Sequence, residues 1–121
     1  MYKILVIDDS PTMRKMIQMA LKPLNIKIFE ANNGIEGIEI INREKIDLVM
    51  TDLNMPEMNG FDFIRYMKQN ENYINTPTII ISTEKKQESL DTAKELGVTQ
   101  YIVKPFKLPE LQQIIKQILN I

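Results

Sequence analysis

Leu48-Val49-Met50-Thr51-Asp52 is a short run of apolar and β-branched residues that stops at a carboxylate. The pattern recurs along the chain. Ile4-Leu5-Val6-Ile7 stops at Asp8-Asp9, Thr78-Ile79-Ile80-Ile81 at Ser82, and Tyr101-Ile102-Val103 at Lys104-Pro105. Continuous rather than alternating hydrophobicity suits strands covered on both faces, as in a parallel sheet. Ile26 to Ala31 is more mixed, with Lys27 and Glu30, and reads as an edge strand ending in nothing reactive. Parallel strands place their carboxyl ends along one edge, where open α/β sheets bind ligands. Three carboxylates, a hydroxyl and an ammonium are therefore expected at one spot, suited to a divalent cation and a phosphoryl group.

Between the runs lie helical periods. Met13, Met16, Ile17, Ala20, Leu21 and Leu24 form an apolar stripe on one helix face. Pro11 sits where a first-turn proline is tolerated, with Ser10 or Asp9 as its cap. Ile35, Ile38 and Ile41 mark a second helix, Phe61, Ile64 and Met67 a third entered through Gly60. Leu90, Ala93 and Leu96 mark a fourth, stopped by Gly97 as C-cap, and Leu111, Ile114, Ile115 and Ile118 a fifth starting near Pro109. Asn70 to Thr76 reads as a polar loop. A β-α unit repeated five times, with right-handed crossovers, predicts an α/β three-layer sandwich: a five-stranded parallel sheet flanked by five helices.

Composition narrows the chemistry. The 121 residues, 44% hydrophobic and 26% charged, suit a single domain over residues 1–121 with one core and no appended effector. A net charge of −1 gives no reason to expect nucleic acid or an anionic membrane as partner. No apolar stretch is long enough to span a bilayer, and Met1-Tyr2-Lys3 runs straight into the first strand, so a cytoplasmic location is expected. Without cysteine there is no disulfide or thiol chemistry, and without histidine no Ser-His-Asp triad and no histidine ligand. Any metal must bind oxygen, which points to magnesium, manganese or calcium.

Adjacent acids after a strand often only favour a helix N-terminus, and that would explain Asp8 and Asp9 alone. Asp52 at another strand end changes the reading, because three close carboxylates repel unless a cation sits among them. Asp52 is the candidate nucleophile, since carboxylates form acyl phosphates. Asn54, two residues on, is placed to turn its backbone carbonyl toward the cation, and Pro56 and Gly60 shape that loop. Ser82 is the candidate hydroxyl donor to a phosphoryl oxygen, with Thr83 a substitute only on a different loop path. Lys104 would pair with Asp52 at rest and with phosphate afterward; an X-Pro bond such as Lys104-Pro105 can be cis. Tyr101 needs no explanation beyond edge-strand packing.

Taken together, Asp8-Asp9, Asp52, Ser82 and Lys104-Pro105-Phe106 resemble the receiver domain of two-component response regulators, over the whole chain. The segments Asp52-Leu53-Asn54-Met55-Pro56-Glu57-Met58-Asn59-Gly60 and Tyr101-Ile102-Val103-Lys104-Pro105-Phe106 are most similar to the single-domain chemotaxis type. The resemblance implies a flavodoxin-like sheet in the order 2-1-3-4-5, for which this protein type is itself a standard illustration. It also implies roles. Asp52 would accept a phosphoryl group from a histidine kinase of the chemotaxis type. Asp9, Asp52 and the Asn54 carbonyl would bind Mg2+ directly, with Asp8 acting through water and Mn2+ as the alternative ion. Ser82 and Lys104 would hold phosphoryl oxygens. Phosphorylation would bias Ser82 and Tyr101 and remodel the face of the fourth helix, fifth strand and fifth helix, which partners such as the flagellar motor switch protein read.

Asn54 and Glu84 occupy the two positions that tune dephosphorylation in this family, and their match implies a short-lived phosphoryl state. Thr83 stands where the family often has a small residue, which bears on access by phosphodonors and by a phosphatase partner. On this resemblance the chain would phosphorylate and dephosphorylate itself, would act as a monomer, and would turn over no external substrate, so it is not expected to be an enzyme. The alternative is a phosphorelay intermediate passing phosphate to a histidine phosphotransfer protein, which would use the same site residues. A metal-dependent phosphohydrolase is disfavoured because no second acid follows Asp52 and no histidine is present to activate water. A flavin module is disfavoured because Asp8-Asp9-Ser10 would repel a phosphate.

Overall fold

The continuous apolar runs become the interior of one parallel sheet. In the computed structural model, which describes residues 1–121, the order is β1 (Tyr2–Ile7), α1 (Pro11–Leu21), β2 (Ile26–Ala31), α2 (Gly34–Arg43), β3 (Leu48–Asp52), α3 (Gly60–Lys68), β4 (Thr78–Ser82), α4 (Gln87–Glu95), β5 (Gln100–Val103) and α5 (Leu108–Leu119). The sheet order is β2-β1-β3-β4-β5, as expected, with every pairing parallel. Mixed β2 lies at one edge and short β5 at the other.

Side chains alternate between the two faces of each strand. Ile4 and Val6 of β1, Leu48 and Met50 of β3 and Ile79 and Ile81 of β4 join one core with Ile17, Ala20 and Leu21 of α1 and Leu111, Ile115 and Leu119 of α5. Their neighbours Leu5, Ile7 and Val49 face the opposite way, onto Ile40 and Ile41 of α2 and Phe63 and Met67 of α3. Ile80 joins Ile64, Phe61 and Ala93 in a smaller cluster beside it. Each fully buried side chain of this size contributes about 1.5–3 kcal/mol. The central strands are therefore fixed from both sides, and their carboxyl ends with them. No helix is long and apolar enough to cross a membrane.

The helix termini settle details that the sequence left open. Ser10 caps α1, its Oγ accepting from the Met13 N–H, and Pro11 is the first helical residue. Asn59 and Asp62 form a reciprocal capping box at α3. Gly97, at φ +74°, stands just beyond Leu96, where α4 ends. In α2, Ile41 is buried and Ile38 packs partly buried against the same core, but not every isoleucine that marks the helix faces inward. Ile35 is 49% exposed, and the buried face is Gly34, Gly37, Ile40 and Ile41. A Cβ on Gly37 would lie 2.7 Å from Ile7 Cδ1 and 2.9 Å from Phe63 Cε2, so the glycine itself marks the contact face. The polar loop before β4 contains a single 3-10 turn, Glu71–Tyr73. The Tyr73 hydroxyl is buried there, its one proton shared between the Ile41 and Glu44 carbonyls at 2.8 and 2.7 Å.

Candidate functional site

Asp8 follows β1, Asp52 ends β3, Ser82 ends β4 and Lys104 follows β5, so adjacent strands deliver all four to one edge of the sheet. Asp8 is 2% exposed. Its N–H donates to the Ala31 carbonyl at 3.0 Å, and its Oδ1 accepts from the Ser10 N–H at 2.9 Å. Asp9 is exposed. One carboxylate oxygen from each of Asp8, Asp9 and Asp52 lies within 4.8 Å of the others. Lys104 is the ammonium among them, its Nζ 3.4 Å from Asp8 Oδ2 and 3.7 Å from Asp52 Oδ2. The sequence pointed to Asp52 as its resting partner; Asp8 is the nearer one.

Three carboxylates facing one ammonium leave negative charge uncompensated in a partly desolvated place. Burial raises the Asp52 pKa above the ordinary carboxylate value, Lys104 opposes the rise, and Asp8 adds to it. Backbone N–H groups of Asn54 and Leu53 also favour the charged form, the first donating to Asp52 Oδ1 at 3.4 Å. The donors available to a cation are oxygen alone, which fits a hard divalent ion and excludes a soft one.

The β4 and β5 ends carry the rest of the site. Ser82 is fully buried, and its Oγ accepts from the Glu84 N–H at 3.0 Å. The Tyr101 hydroxyl donates to the Glu84 carbonyl at 2.8 Å. Glu84 thus joins the two: one backbone group contacts the Ser82 hydroxyl, the other the Tyr101 phenol. Burial raises the Tyr101 pKa, the Ser82 hydroxyl opposes that, and Glu84 and Asp52 add to it. The Lys104 N–H donates to the Ser82 carbonyl at 2.8 Å, and the Lys104–Pro105 bond is cis. Asn54 and Thr83 are exposed. Thr83 lines a cleft of about 390 Å³ with Met13, Met16, Lys104, Pro105 and Phe106.

Two neighbours of the cluster were not singled out as such by sequence reading. Arg14 Nη1 donates to the Asp8 carbonyl at 2.6 Å. Gly60 packs its backbone against the Asp52 carbonyl. Gly60 was visible as a loop residue; Arg14 carried only a polar position in the first turns of an amphipathic helix.

The family model described as response regulator receiver domain matches residues 4–116. A chemotaxis protein CheY homolog of Campylobacter jejuni is 36% identical over 120 residues, covering 98% of this chain and 92% of the relative. The structure of Vibrio cholerae chemotaxis protein CheY4 superposes with TM-score 0.90 at 30% identity, over 97% of this chain and 98% of that one. The receiver domain of the sensor histidine kinase PA1611 of Pseudomonas aeruginosa, solved with a magnesium ion coordinated in its active-site cleft, matches with TM-score 0.87 at 25% identity, over 99% and 98% of the two chains.

Proposed function

Because this chain belongs to the response regulator receiver domain family and so to two-component signalling, we propose that it is a switch phosphorylated on Asp52. The observation that carries the reading is the meeting of the Asp8, Asp9 and Asp52 carboxylates within 4.8 Å, with Lys104 Nζ bridging Asp8 and Asp52. An Asp52 carboxylate oxygen forms a bond to phosphorus as the P–N bond of the donor's phosphohistidine breaks and the imidazole leaves. Lys104 exchanges its carboxylate partners for phosphoryl oxygens, and the Ser82 proton is donated to another. Asp9, Asp52 and the Asn54 carbonyl would hold Mg2+ or Mn2+ directly, with Asp8 acting through water. A bound ion would supply positive charge there as negative charge builds on the transferred group. The magnesium in the Pseudomonas receiver supports this choice. The apolar cleft beside Lys104 suits the approach of a histidine-bearing kinase domain.

The output follows from the Glu84 bridge. Drawing the Ser82 hydroxyl toward a phosphoryl oxygen pulls on the Glu84 N–H, and the Glu84 carbonyl carries the displacement to Tyr101. The element this reaches is loosely held: α4 buries Ala93 alone and lacks a side-chain N-cap. A helix with so few buried contacts belongs to the low-stability end of a fold. The α4-β5-α5 face is accordingly the surface remodelled, and the relatives' chemotaxis role favours a flagellar motor switch protein as its reader. Glu84 and Asn54 set the phosphoryl lifetime on this reading, and Thr83 bears on access.

Intact-mass measurement after incubation with acetyl phosphate and Mg2+ tests the core of this. One phosphoryl group is expected on the wild type and none on Asp52→Asn; modification of the variant at the same site refutes the assignment. Pull-down with motor switch protein against histidine phosphotransfer protein separates motor output from a relay.

A further inference from the structure

The chain has three arginines, and two behave as surface residues: the Arg43 and Arg65 side chains are 64% and 51% exposed. Arg14 is 13% exposed. Its Nη1 donates to the Asp8 carbonyl at 2.6 Å and its Nε to Glu30 Oε1 at 3.0 Å. The guanidinium thus ties the end of β1 to the edge strand β2 from a position one turn into α1.

The carbonyl it grips is a telling one. The Asp8 carbonyl and the Asp9 N–H share one planar peptide unit, so fixing the carbonyl direction fixes how the chain leaves Asp8 and enters Asp9. The Asp8 N–H is held from the other side by the Ala31 carbonyl, and its carboxylate by the Ser10 N–H. Arg14 completes this set, and it alone acts on the peptide that joins the two acids. We propose that Arg14, held by Glu30, is a positioning residue that sets the Asp8–Asp9 peptide so that both carboxylates face the cation. This rests on the reading of Asp8, Asp9 and Asp52 as a cation site.

Coulomb repulsion and positioning predict opposite signs. A cation beside an acidic cluster repels a second cation, so charge alone makes removal of Arg14 tighten Mg2+ binding. Positioning makes removal weaken it. Groups one step outside a metal's ligands typically change affinity 10–100-fold, so Arg14→Ala is expected to raise the Mg2+ Kd about tenfold. Arg14→Lys keeps the charge but lacks the planar fork that reaches a carbonyl and a carboxylate together, and should also weaken binding. Glu30→Ala releases the guanidinium from its anchor and should weaken binding by a smaller factor.

The experiment is calorimetric titration of the full chain with MgCl2, with thermal melts of each variant in EDTA recording stability without metal. A weaker Mg2+ affinity in Arg14→Ala, beyond any change in metal-free stability, supports the proposal. An unchanged or tighter affinity overturns it, as does a lower melting temperature in EDTA with unchanged affinity. Should Arg14→Ala fail to fold, Glu30→Ala decides: weakening supports the proposal and an unchanged Kd overturns it. A wild type that binds no Mg2+ defeats the cation-site reading itself, and the proposal with it, which distinguishes the two failures.

Discussion

Gly60→Ala is a single methyl aimed at the Asp52 peptide, the backbone of the proposed phosphoacceptor. Gly60 opens α3, and its N–H donates to the Leu53 carbonyl at 2.8 Å. A Cβ there would stand 2.5 Å from the Asp52 carbonyl oxygen, 3.1 Å from Leu53 Cα and 3.3 Å from the Asp52 carbonyl carbon. All three are backbone atoms, so no side-chain rotation relieves the contact. An ordinary carbon-to-oxygen approach is about 3.3 Å, so the loop must open by roughly 0.8 Å. Helix propensity favours alanine over glycine by up to about 1 kcal/mol, while overpacking costs about 1–3 kcal/mol. The steric effect wins, for a net loss of about 1–2 kcal/mol and a melting temperature lower by roughly 5 °C. Function should suffer more. A misplacement of about 1 Å costs on the order of 10²-fold in a positioned reaction, so phosphorylation by acetyl phosphate should slow at least about tenfold. Gly97→Ala is the control. A Cβ there meets open space, but φ is +74°, so the expected cost is about 1 kcal/mol with no effect on phosphorylation. Intact-mass time courses and thermal melts on both variants give the answer. Full activity and stability in Gly60→Ala would refute the steric argument; equal slowing in Gly97→Ala would assign the effect to general destabilisation.

Other perturbations separate charge from packing. Asp52 has a folded-state pKa above its unfolded value, so the folded state binds its proton more tightly; stability from this group falls as pH rises from the unfolded value through the folded one. Asp52→Asn removes that penalty and should melt higher than wild type at neutral pH in EDTA, the advantage vanishing below about pH 3.8. A constant difference across pH would contradict this. Lys104→Met leaves Asp8 and Asp52 without their ammonium and should cost about 2 kcal/mol in metal-free denaturation, part of it recovered on adding Mg2+. Tyr73→Phe strands the Ile41 and Glu44 carbonyls and the Ile46 N–H, at about 1–3 kcal/mol. Tyr73 lies before β4, at the opposite end of the strand from Ser82, so acetyl phosphate should still modify this variant at the wild-type rate.

The strand ends were legible because their signal is local. A continuous apolar run reports burial on both faces, and the first polar residue after it marks the sheet edge; Asp8, Asp52, Ser82 and Lys104 were found that way and do share one edge. The isoleucines located α2, but the glycines of its buried face were not legible, because Gly34 and Gly37 carry no hydrophobic signal, yet their missing side chains are what lets the helix approach Ile7, Phe63 and Met58. Tyr73 was missed for a related reason. One aromatic in an otherwise polar segment reads as loop, and its three hydrogen bonds reach back to residues 41, 44 and 46.

What the sequence hid around the site is of one kind: groups that act on backbone atoms. Arg14 grips a carbonyl, Gly60 yields space to a carbonyl, and Glu84 offers its own N–H and carbonyl to Ser82 and Tyr101. Side-chain type identifies what can ligate a cation or hold a phosphoryl group, but not what fixes the direction of a peptide plane. Burial makes the charged form of Asp52 costly, and Lys104 offsets this only in part. On the cation-site reading proposed above, a carboxylate turned away from the ion would be repelled by its neighbours rather than neutralised with them. The framework that aims the acids is therefore as necessary as the acids, and it is drawn from β2, α1 and α3, none of which contributes a ligand to the cluster.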